Sequence, residues 1–222
     1  MPRRSILTAT ERENLLGWPE SQAELIRHYT LSATDLAIIR QHRGAANRLG
    51  YTVQLCSMRF PGVALGVREK PFSPLLQIVA DQLKVPVESW SEYGHRAETR
   101  REHALELQAI FGFKPFTMRH YRSGVRSLED IAWQTDKGIV LASALIEEYR
   151  RQKVLLPSLN NIERICAEAV TRANRRIYAA LTGSLTDVHH VRLDALLRRT
   201  DNSNTARLAA PVTRKAKLAA HA

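Results

Sequence analysis

Side chains suited to reading DNA bases are densest between residues 40 and 50, where the sequence is RQHRGAANRLG. Arginine presents two donors that match guanine, and asparagine and glutamine match adenine. The candidate base contacts are Arg40, Arg43, Asn47 and Arg48. The small residues here are typical of a helix-turn-helix, although the later apolar positions do not fit that motif. A helix that enters a DNA groove and a plain amphipathic helix with solvated arginines therefore both remain open.

Two further groups of three arginines occur at helical spacing. In each group, the arginines lie three or four residues from another member of the group. Residues at these separations lie on one side of a helix, so each group predicts a basic helix face. The residues concerned are Arg119, Arg122, Arg126, Arg172, Arg175 and Arg176. Several basic faces on different helices suit a long DNA site, in which phosphate contacts supply affinity and a few base contacts supply specificity.

Residues that could perform catalysis show no recognised pattern. The sequence lacks the phosphate-binding loop, the serine nucleophile elbow and the zinc-protease motif. Its seven aspartates are scattered, and several stand where an acid would cap a helix. Two-metal phosphoryl transfer needs carboxylates that converge on the ions, which nothing here forces. We expect no catalytic residue, no metal site and no cofactor. A small metal-dependent nuclease is kept as an alternative function.

The composition is that of a basic helical protein. The chain has 222 residues with 33 Lys and Arg against 22 Asp and Glu, a net charge of +11, which favours a polyphosphate partner. Ribosomal and membrane-surface proteins share this trait. Low aromatic content (6%) with few Gly and Pro favours helices. The two cysteines form no C-x-x-C motif, which predicts buried thiols in a reducing compartment. The N-terminus has no signal-peptide core, and no apolar run predicts a membrane span.

Helix start and stop signals recur along the chain and predict about ten helices. Capping boxes are predicted at Thr8–Glu11, Ser32–Asp35 and Ser127–Asp130. Other predicted starts are Pro19, Ala45, Ser73, Pro86, Arg96, Thr117, Asp136, either Asn160 or Asn161, and Thr186. The Ser127–Gln134 helix, the turn after it and the following long helix predict a helix-turn-helix-like element.

The predicted fold is all-α, with two packed helical units that contain helix-turn-helix-like elements. The first DNA-binding unit covers residues 1–112, and the Gly and Pro signals at 112–115 separate it from the second, residues 113–201. Residues 202–222 carry four basic and no acidic side chains and little apolar content, which predicts a flexible, disordered basic tail.

Nine short stretches, taken in order, carry a family resemblance. They are MPRRSILT at the start, IRHYT at 26–30, RGAANRLG at 43–50, QLC at 54–56, RFPG at 59–62, QLKVP at 82–86, FGF at 111–113, TDKGIV at 135–140 and IER at 162–164. Together they make residues 1–201 resemble the N-terminal DNA-binding domain of the Tn-three family of replicative transposases.

The resemblance implies a helical region that recognises the terminal inverted repeats of a transposon. In the family, catalysis belongs to a later RNase-H-like domain with an Asp-Asp-Glu triad and divalent metal. No position here matches that triad, so we expect no enzyme activity. The resemblance fades after residue 202, which suggests a gene truncated by a frameshift or an insertion junction.

The expected partner is double-stranded DNA carrying the inverted repeats, and intact transposase is a second candidate partner. We expect a monomer at the nucleoid of the bacterial cytoplasm, with no membrane association. The alternative function is a helical interaction module that docks on intact transposase or a host protein without reading DNA.

Overall fold

The computed structural model describes residues 6–19, 21–66, 70–93 and 97–197. Within these ranges the secondary structure is ten α-helices and one 3-10 helix, with an isolated bridge between Lys114 and Val154 as the only β feature. The all-α fold of about ten helices is thereby confirmed for these residues. The predicted tail, residues 202–222, lies outside them.

The elements follow one another in chain order as α1 (Ala9–Asn14), α2 (Gln22–Tyr29), α3 (Ala33–Ile39), α4 (Ala45–Arg59), α5 (Ser73–Leu83), the 3-10 helix (Val87–Glu92), α6 (Ala97–Phe111), α7 (Met118–Gln134), α8 (Gly138–Arg151), α9 (Leu159–Thr182) and α10 (Asp187–Leu197). Their order and approximate bounds follow the predicted start signals, because most of these signals are local hydrogen-bond patterns.

Capping boxes start the first and third helices, as the sequence predicts. At α1 the Thr8 hydroxyl accepts a hydrogen bond from the Glu11 N–H, and the Glu11 carboxylate accepts one from the Thr8 N–H at 2.7 Å. Ser32 and Asp35 make the same reciprocal pair at α3. Each box satisfies backbone donors that a helix N-terminus would otherwise leave without partners.

Several predicted helix starts are wrong. Asn160 and Asn161, the predicted caps of the long helix, lie inside α9, which already begins at Leu159. Pro19 precedes α2 instead of opening it, because the N-cap is Ser21, which forms a capping box with Glu24. Ser127 does not start a helix, since α7 runs unbroken from Met118 to Gln134. The Ser127 hydroxyl instead donates to the carbonyl oxygen of Gly124 at 3.0 Å, the bond that a serine inside a helix makes to the preceding turn.

The chain divides into two compact units, residues 1–173 and residues 174–222. In the first unit, one hydrophobic cluster surrounds α4. Ten consecutive residues of this helix, Leu49 to Met58, are buried, and α2, α3, α5 and α6 pack around it. A helix that is covered on all sides in this way is the core of its unit.

A second hydrophobic cluster in the same unit forms between α7, α8 and the beginning of α9. It contains Val125 and Leu128 of α7, Leu141 and Leu145 of α8, and Ile162 of α9. All five side chains are at most 1% exposed. This cluster fixes the face of α7 that points inward and therefore also the face that is left to solvent.

The segment that follows α8 joins the two clusters. Leu155 belongs to the cluster around α4, and the Leu156 N–H donates to the carbonyl oxygen of Gly62 at 2.8 Å. The Arg150 guanidinium donates to the carbonyl oxygen of Pro61 at 2.8 Å and lies over the Phe60 ring. The domain boundary at residue 112 stays a prediction. It can be tested by removing these contacts and measuring whether both clusters lose stability.

Candidate nucleic-acid interface

Three arginines form an exposed ridge along α7, opposite its buried face. The apolar residues Val125 and Leu128 point into the second cluster, whereas Arg119, Arg122 and Arg126 are all exposed. Within the described part of the chain, no ion pair or hydrogen bond engages any of the three guanidinium groups. The predicted ridge on one helix face is therefore present, with its positive charge open to a partner.

Close packing between α7 and α8 holds this ridge in place. A Cβ atom at Gly124 would lie 2.3 Å from the Tyr149 hydroxyl oxygen, so only glycine lets the two helices approach this closely. The Tyr149 hydroxyl donates to the carbonyl oxygen of His120 at 2.9 Å. Burial raises the pKa of Tyr149, which keeps that donor protonated. Residues 135–137 join α7 to α8, and a helix-turn-helix-like role for this pair stays a prediction.

Arg172, the predicted basic residue on the first half of α9, is held by two carboxylates. It pairs with Glu129 of α7 at 3.1 Å and with Glu168 of its own helix at 2.8 Å. Hydrogen bonds to Glu129 and then Glu168 raise the pKa of Arg172. Because two nearby negative charges offset this cation, it offers less to a phosphate than the α7 arginines do.

The other two predicted residues of that basic face, Arg175 and Arg176, belong to the second compact unit. Both are exposed on the part of α9 that follows Ala173. Their positive charge is therefore part of the surface of the second unit, whereas the α7 ridge is part of the first.

The cluster predicted between residues 40 and 48 surrounds the start of α4. Arg40 and Arg43 are exposed, and Gly44 is the N-cap of α4 with φ of 82°, without a side-chain cap. The Asn47 amide donates to the carbonyl oxygen of Arg43 at 3.1 Å. Arg48 is half-buried, and its Nε atom has no partner among the described residues. Arg40 and Arg43 are thus the most accessible of the four.

A stack of aromatic and histidine rings anchors this segment. The His42 ring lies 3.9 Å from the Tyr51 ring, and its Nε2 atom is 3.4 Å from Glu106. His103 Nδ1 is 3.0 Å from the hydroxyl of Tyr93. Burial, and then the neighbouring His42, lower the pKa of His103, which favours its neutral form. The loop between α3 and α4 is therefore fixed to α6 as well as to α4.

Trp133 is a residue of this surface that counting charges along the sequence missed. It lies seven residues, or two helical turns, after Arg126, so it shares the ridge side of α7, and its side chain is exposed. An exposed tryptophan beside arginines supplies a flat apolar surface at the end of the ridge. Extending the spacing of the three arginines by two more turns would have located it.

Sites for metal chemistry are not found among the described residues. No group of three or more His, Cys, Asp and Glu side chains there could hold a metal ion. Cys56 and Cys166 are buried, and burial raises the pKa of each thiol to about 12, so both stay protonated. In the same part of the chain, no helix has the length and apolar character that crossing a bilayer demands.

Fold and surface together define a basic, all-α protein with exposed arginine faces. A family model described as "Domain of unknown function (DUF4158)" matches residues 6–169, and the chain belongs to this family.

Curated relatives with this region are transposases. The chain is 67% identical over 209 residues to the Transposase for transposon Tn3926 and 66% identical to the Transposase for transposon Tn21, both of Escherichia coli. It is 50% identical over 198 residues to the Transposase for transposon Tn501 of Pseudomonas aeruginosa. The matches cover 94%, 94% and 89% of this chain but only 21%, 21% and 20% of these relatives. The chain thus spans about a fifth of their length, and the resemblance to the Tn-three family is confirmed.

Proposed function

We propose that this chain binds double-stranded DNA at the terminal inverted repeats of a replicative transposon. The observation that carries the proposal is the ridge of three exposed, unpaired arginines on α7, within the described residues. Its support is the similarity to transposases, enzymes that act at transposon ends, and the net charge of +11. A cationic ridge gains free energy at a phosphate backbone by releasing condensed counterions.

The dimensions of the ridge suit one strand of a duplex. Arg119 and Arg126 are seven residues apart, which is about 10 Å along a helix at roughly 1.5 Å per residue. Phosphates of one strand advance by about 3.4 Å per nucleotide along the axis, so the ridge spans about three nucleotides. The α7 arginines would contact phosphates and set the register of the protein on DNA.

Base recognition is proposed for the start of α4 and additional phosphate contacts for the second unit. Arg40 and Arg43 are exposed and carry donors that match guanine, while Asn47 bonds to the carbonyl oxygen of Arg43 and Arg48 is half-buried. Arg175 and Arg176 would add contacts outside the first unit, whereas Arg172 is already paired with Glu129 and Glu168.

The test measures binding to a duplex that carries the terminal inverted repeat of transposon Tn21 and to a random duplex of equal length. We expect the triple variant R119Q/R122Q/R126Q to bind more weakly and to lower the slope of log affinity against log salt by roughly 3, about one for each phosphate that an arginine no longer neutralises. The matched control is R151Q, because Arg151 is an exposed arginine paired with Glu148 at 2.6 Å.

Two results would contradict the proposal at different points. Equal affinity for the random duplex would remove the claim of sequence specificity. An unchanged salt slope in the triple variant, with R151Q behaving identically, would show that the α7 ridge does not contact DNA.

The proposal includes a monomer in the bacterial cytoplasm that does not cut DNA. Cleavage in the Tn-three family requires a carboxylate triad for which this chain has no matching positions. We expect supercoiled plasmid carrying the inverted repeats to stay intact with Mg²⁺ or Mn²⁺. Nicking by the purified chain, abolished on addition of a chelator, would support the metal-dependent nuclease instead.

A further inference from the structure

The loop between α3 and α4 turns one side chain inward, that of His42, which is only 14% exposed. The arginines on either side of it, Arg40 and Arg43, are exposed. Gly44, the N-cap of α4 with φ of 82°, has no side chain that could hold the loop. The positions of both arginines therefore depend on how the His42 ring is held.

Contacts from two helices hold the His42 ring. Its centroid lies 3.9 Å from the centroid of the Tyr51 ring on α4 and 4.8 Å from that of the His103 ring on α6. Its Nε2 atom is 3.4 Å from the carboxylate of Glu106 on α6, a contact that lacks the geometry of a hydrogen bond. The attraction between these two groups is therefore mainly electrostatic, and it grows when His42 carries a proton.

The His103 ring is buried where a positive charge is costly. The residue is 7% exposed, and its Nδ1 atom lies 3.0 Å from the Tyr93 hydroxyl, which also accepts a hydrogen bond from Gln54. Burial, and then His42, lower the pKa of His103 from its ordinary value of 6.5. The neutral ring therefore stabilises the packed arrangement above about pH 6.5, and this contribution is lost as the pH falls below that value.

The two imidazoles share a single carboxylate among the described residues that contact them, that of Glu106. Burial raises the pKa of Tyr51 and Tyr93, so both stay neutral. Two arginines nearby add positive charge: Arg48, one turn before Tyr51 on α4, and Arg100 of α6, whose guanidinium lies over the Tyr93 ring. Glu106 can balance one protonated imidazole, whereas a second proton brings two like charges together.

We propose that His42 positions Arg40 and Arg43 for base recognition, and that protonation of both His42 and His103 releases the loop. This inference rests on the proposed DNA-binding function and adds a dependence on pH to it. With at most one imidazole protonated, the ring contacts hold the loop against α4 and α6. With both protonated, repulsion opens these contacts, and the arginines lose the fixed geometry that base contacts need, while the phosphate contacts of the α7 ridge remain.

Trypsin cleavage tests the anchoring role of His42 without DNA. The protease cuts after arginine, so early cleavage after Arg40 and Arg43 in the full chain, identified by mass spectrometry, reports how often the loop opens. We expect H42A to be cut there at least about fivefold faster than wild type, with unchanged cleavage after Arg122 on α7. The matched control H190Q removes an exposed histidine of α10 and should leave both rates unchanged.

The pH dependence is measured as the ratio of affinities for the Tn21 inverted-repeat duplex and a random duplex of equal length. In wild type this ratio should fall at least about fivefold between about pH 7.5 and about pH 5.5, without weaker binding to the random duplex. H103N should keep the ratio constant, because asparagine offers Tyr93 an acceptor in place of Nδ1 but takes up no proton. H190Q should behave like wild type.

Three results would contradict the inference at different points. Cleavage of H42A at the wild-type rate would overturn the anchoring role of His42, whether or not the chain binds DNA. An equal fall of the affinity ratio in H103N and wild type would overturn the role of His103, with H103Q as a second neutral variant if H103N loses its helical circular dichroism. Loss of helical circular dichroism by wild type over the same pH range would place the change in the whole fold and not in the loop.

Failure of the proposed function gives a separate result. If the two duplexes bind equally at every pH while H42A is still cleaved faster, the claim of sequence-specific binding fails. His42 would then anchor the loop without positioning it for base recognition.

Discussion

Arginine residues of this chain differ more in their surroundings than in their spacing along the sequence. Arg122 is exposed without an ion pair among the described residues, Arg172 is held by two glutamates, and Arg48 is half-buried. An exposed cation retains its full attraction for a phosphate, whereas a cation already paired must give up that interaction first. The structure therefore ranks residues that the sequence predicts as equivalent.

This ranking predicts different outcomes for R122Q and R172Q. R122Q should lower the salt slope of DNA binding by about one, the value for one phosphate contact, and R172Q by much less. Both variants remove one positive charge from an exposed helix position, so each serves as the other's control. Equal reductions in the two variants, measured by fluorescence anisotropy over a salt series, would contradict the ranking.

The ion pair between Asp35 and Arg59 links α3 to α4 at the level of single residues. Two hydrogen bonds join the guanidinium to a carboxylate that is nearly inaccessible to solvent, the shorter at 2.6 Å. Burial of Asp35 opposes ionisation, but the hydrogen bonds from Arg59 and Ser32 outweigh it and lower the pKa to about 2. The carboxylate form therefore stabilises the folded state.

Replacing Asp35 by Asn should lower the free energy of unfolding at pH 7 by roughly 3 kcal/mol, because it leaves Arg59 without its buried partner. A depressed carboxyl pKa contributes stability above the unfolded value near 4 that is lost as the pH falls to about 2. The difference between wild type and D35N should thus shrink over this range in urea denaturation. A difference that stays constant from pH 7 to pH 2 would exclude this coupling.

Helices were predictable where local hydrogen bonds define their ends, and less so where serine has more than one role. Thr8 and Ser32 start helices because a glutamate or aspartate three residues later completes the box. Ser127 has the same neighbours, yet α7 continues through it because Val125 and Leu128 are both buried on one continuous apolar face. Burial of the apolar face therefore outweighed the local capping signal at Ser127. The sequence alone does not show which of these two effects is the stronger.

The close contact between α7 and α8 predicts a cost for adding one methyl group. G124A places a Cβ atom within 2.9 Å of Leu145 and closer still to the Tyr149 hydroxyl, so α7 must shift or the two side chains must leave their positions. Overpacking of this kind costs about 1–3 kcal/mol, more than the gain in helix propensity.

Chemical denaturation of G124A against S123A gives the measurement. Ser123 precedes Gly124 on the same helix but is exposed, so S123A should change stability by less than about 0.5 kcal/mol. An unchanged or raised stability of G124A would show that the two helices have room between them.

At the scale of the whole molecule, the basic charge and the helical class could be predicted, but the contacts between distant segments could not. In the sequence, Leu155 is an ordinary apolar residue after a helix, yet in the structure it packs in the cluster around α4. Similarly, the sequence shows Arg150 only as a cation near a helix C-terminus. Its guanidinium donates a hydrogen bond to the carbonyl oxygen of Pro61, which is 89 residues away in the sequence. Such links depend on the assembled fold, and neither spacing nor composition records them.

These links predict that the two hydrophobic clusters of the first unit unfold together. Trp18 and Trp90 lie against the cluster around α4, and Trp133 lies on α7, so variants that keep a single tryptophan report on each part separately. We expect coincident urea transitions, because Leu155 and Arg150 connect the parts. L155A should lower both midpoints by the same amount, at a cost of about 2–5 kcal/mol, whereas the exposed-site control L105A should move neither. Two separate transitions, with L155A shifting only one, would instead support independent helical units that meet at residue 112.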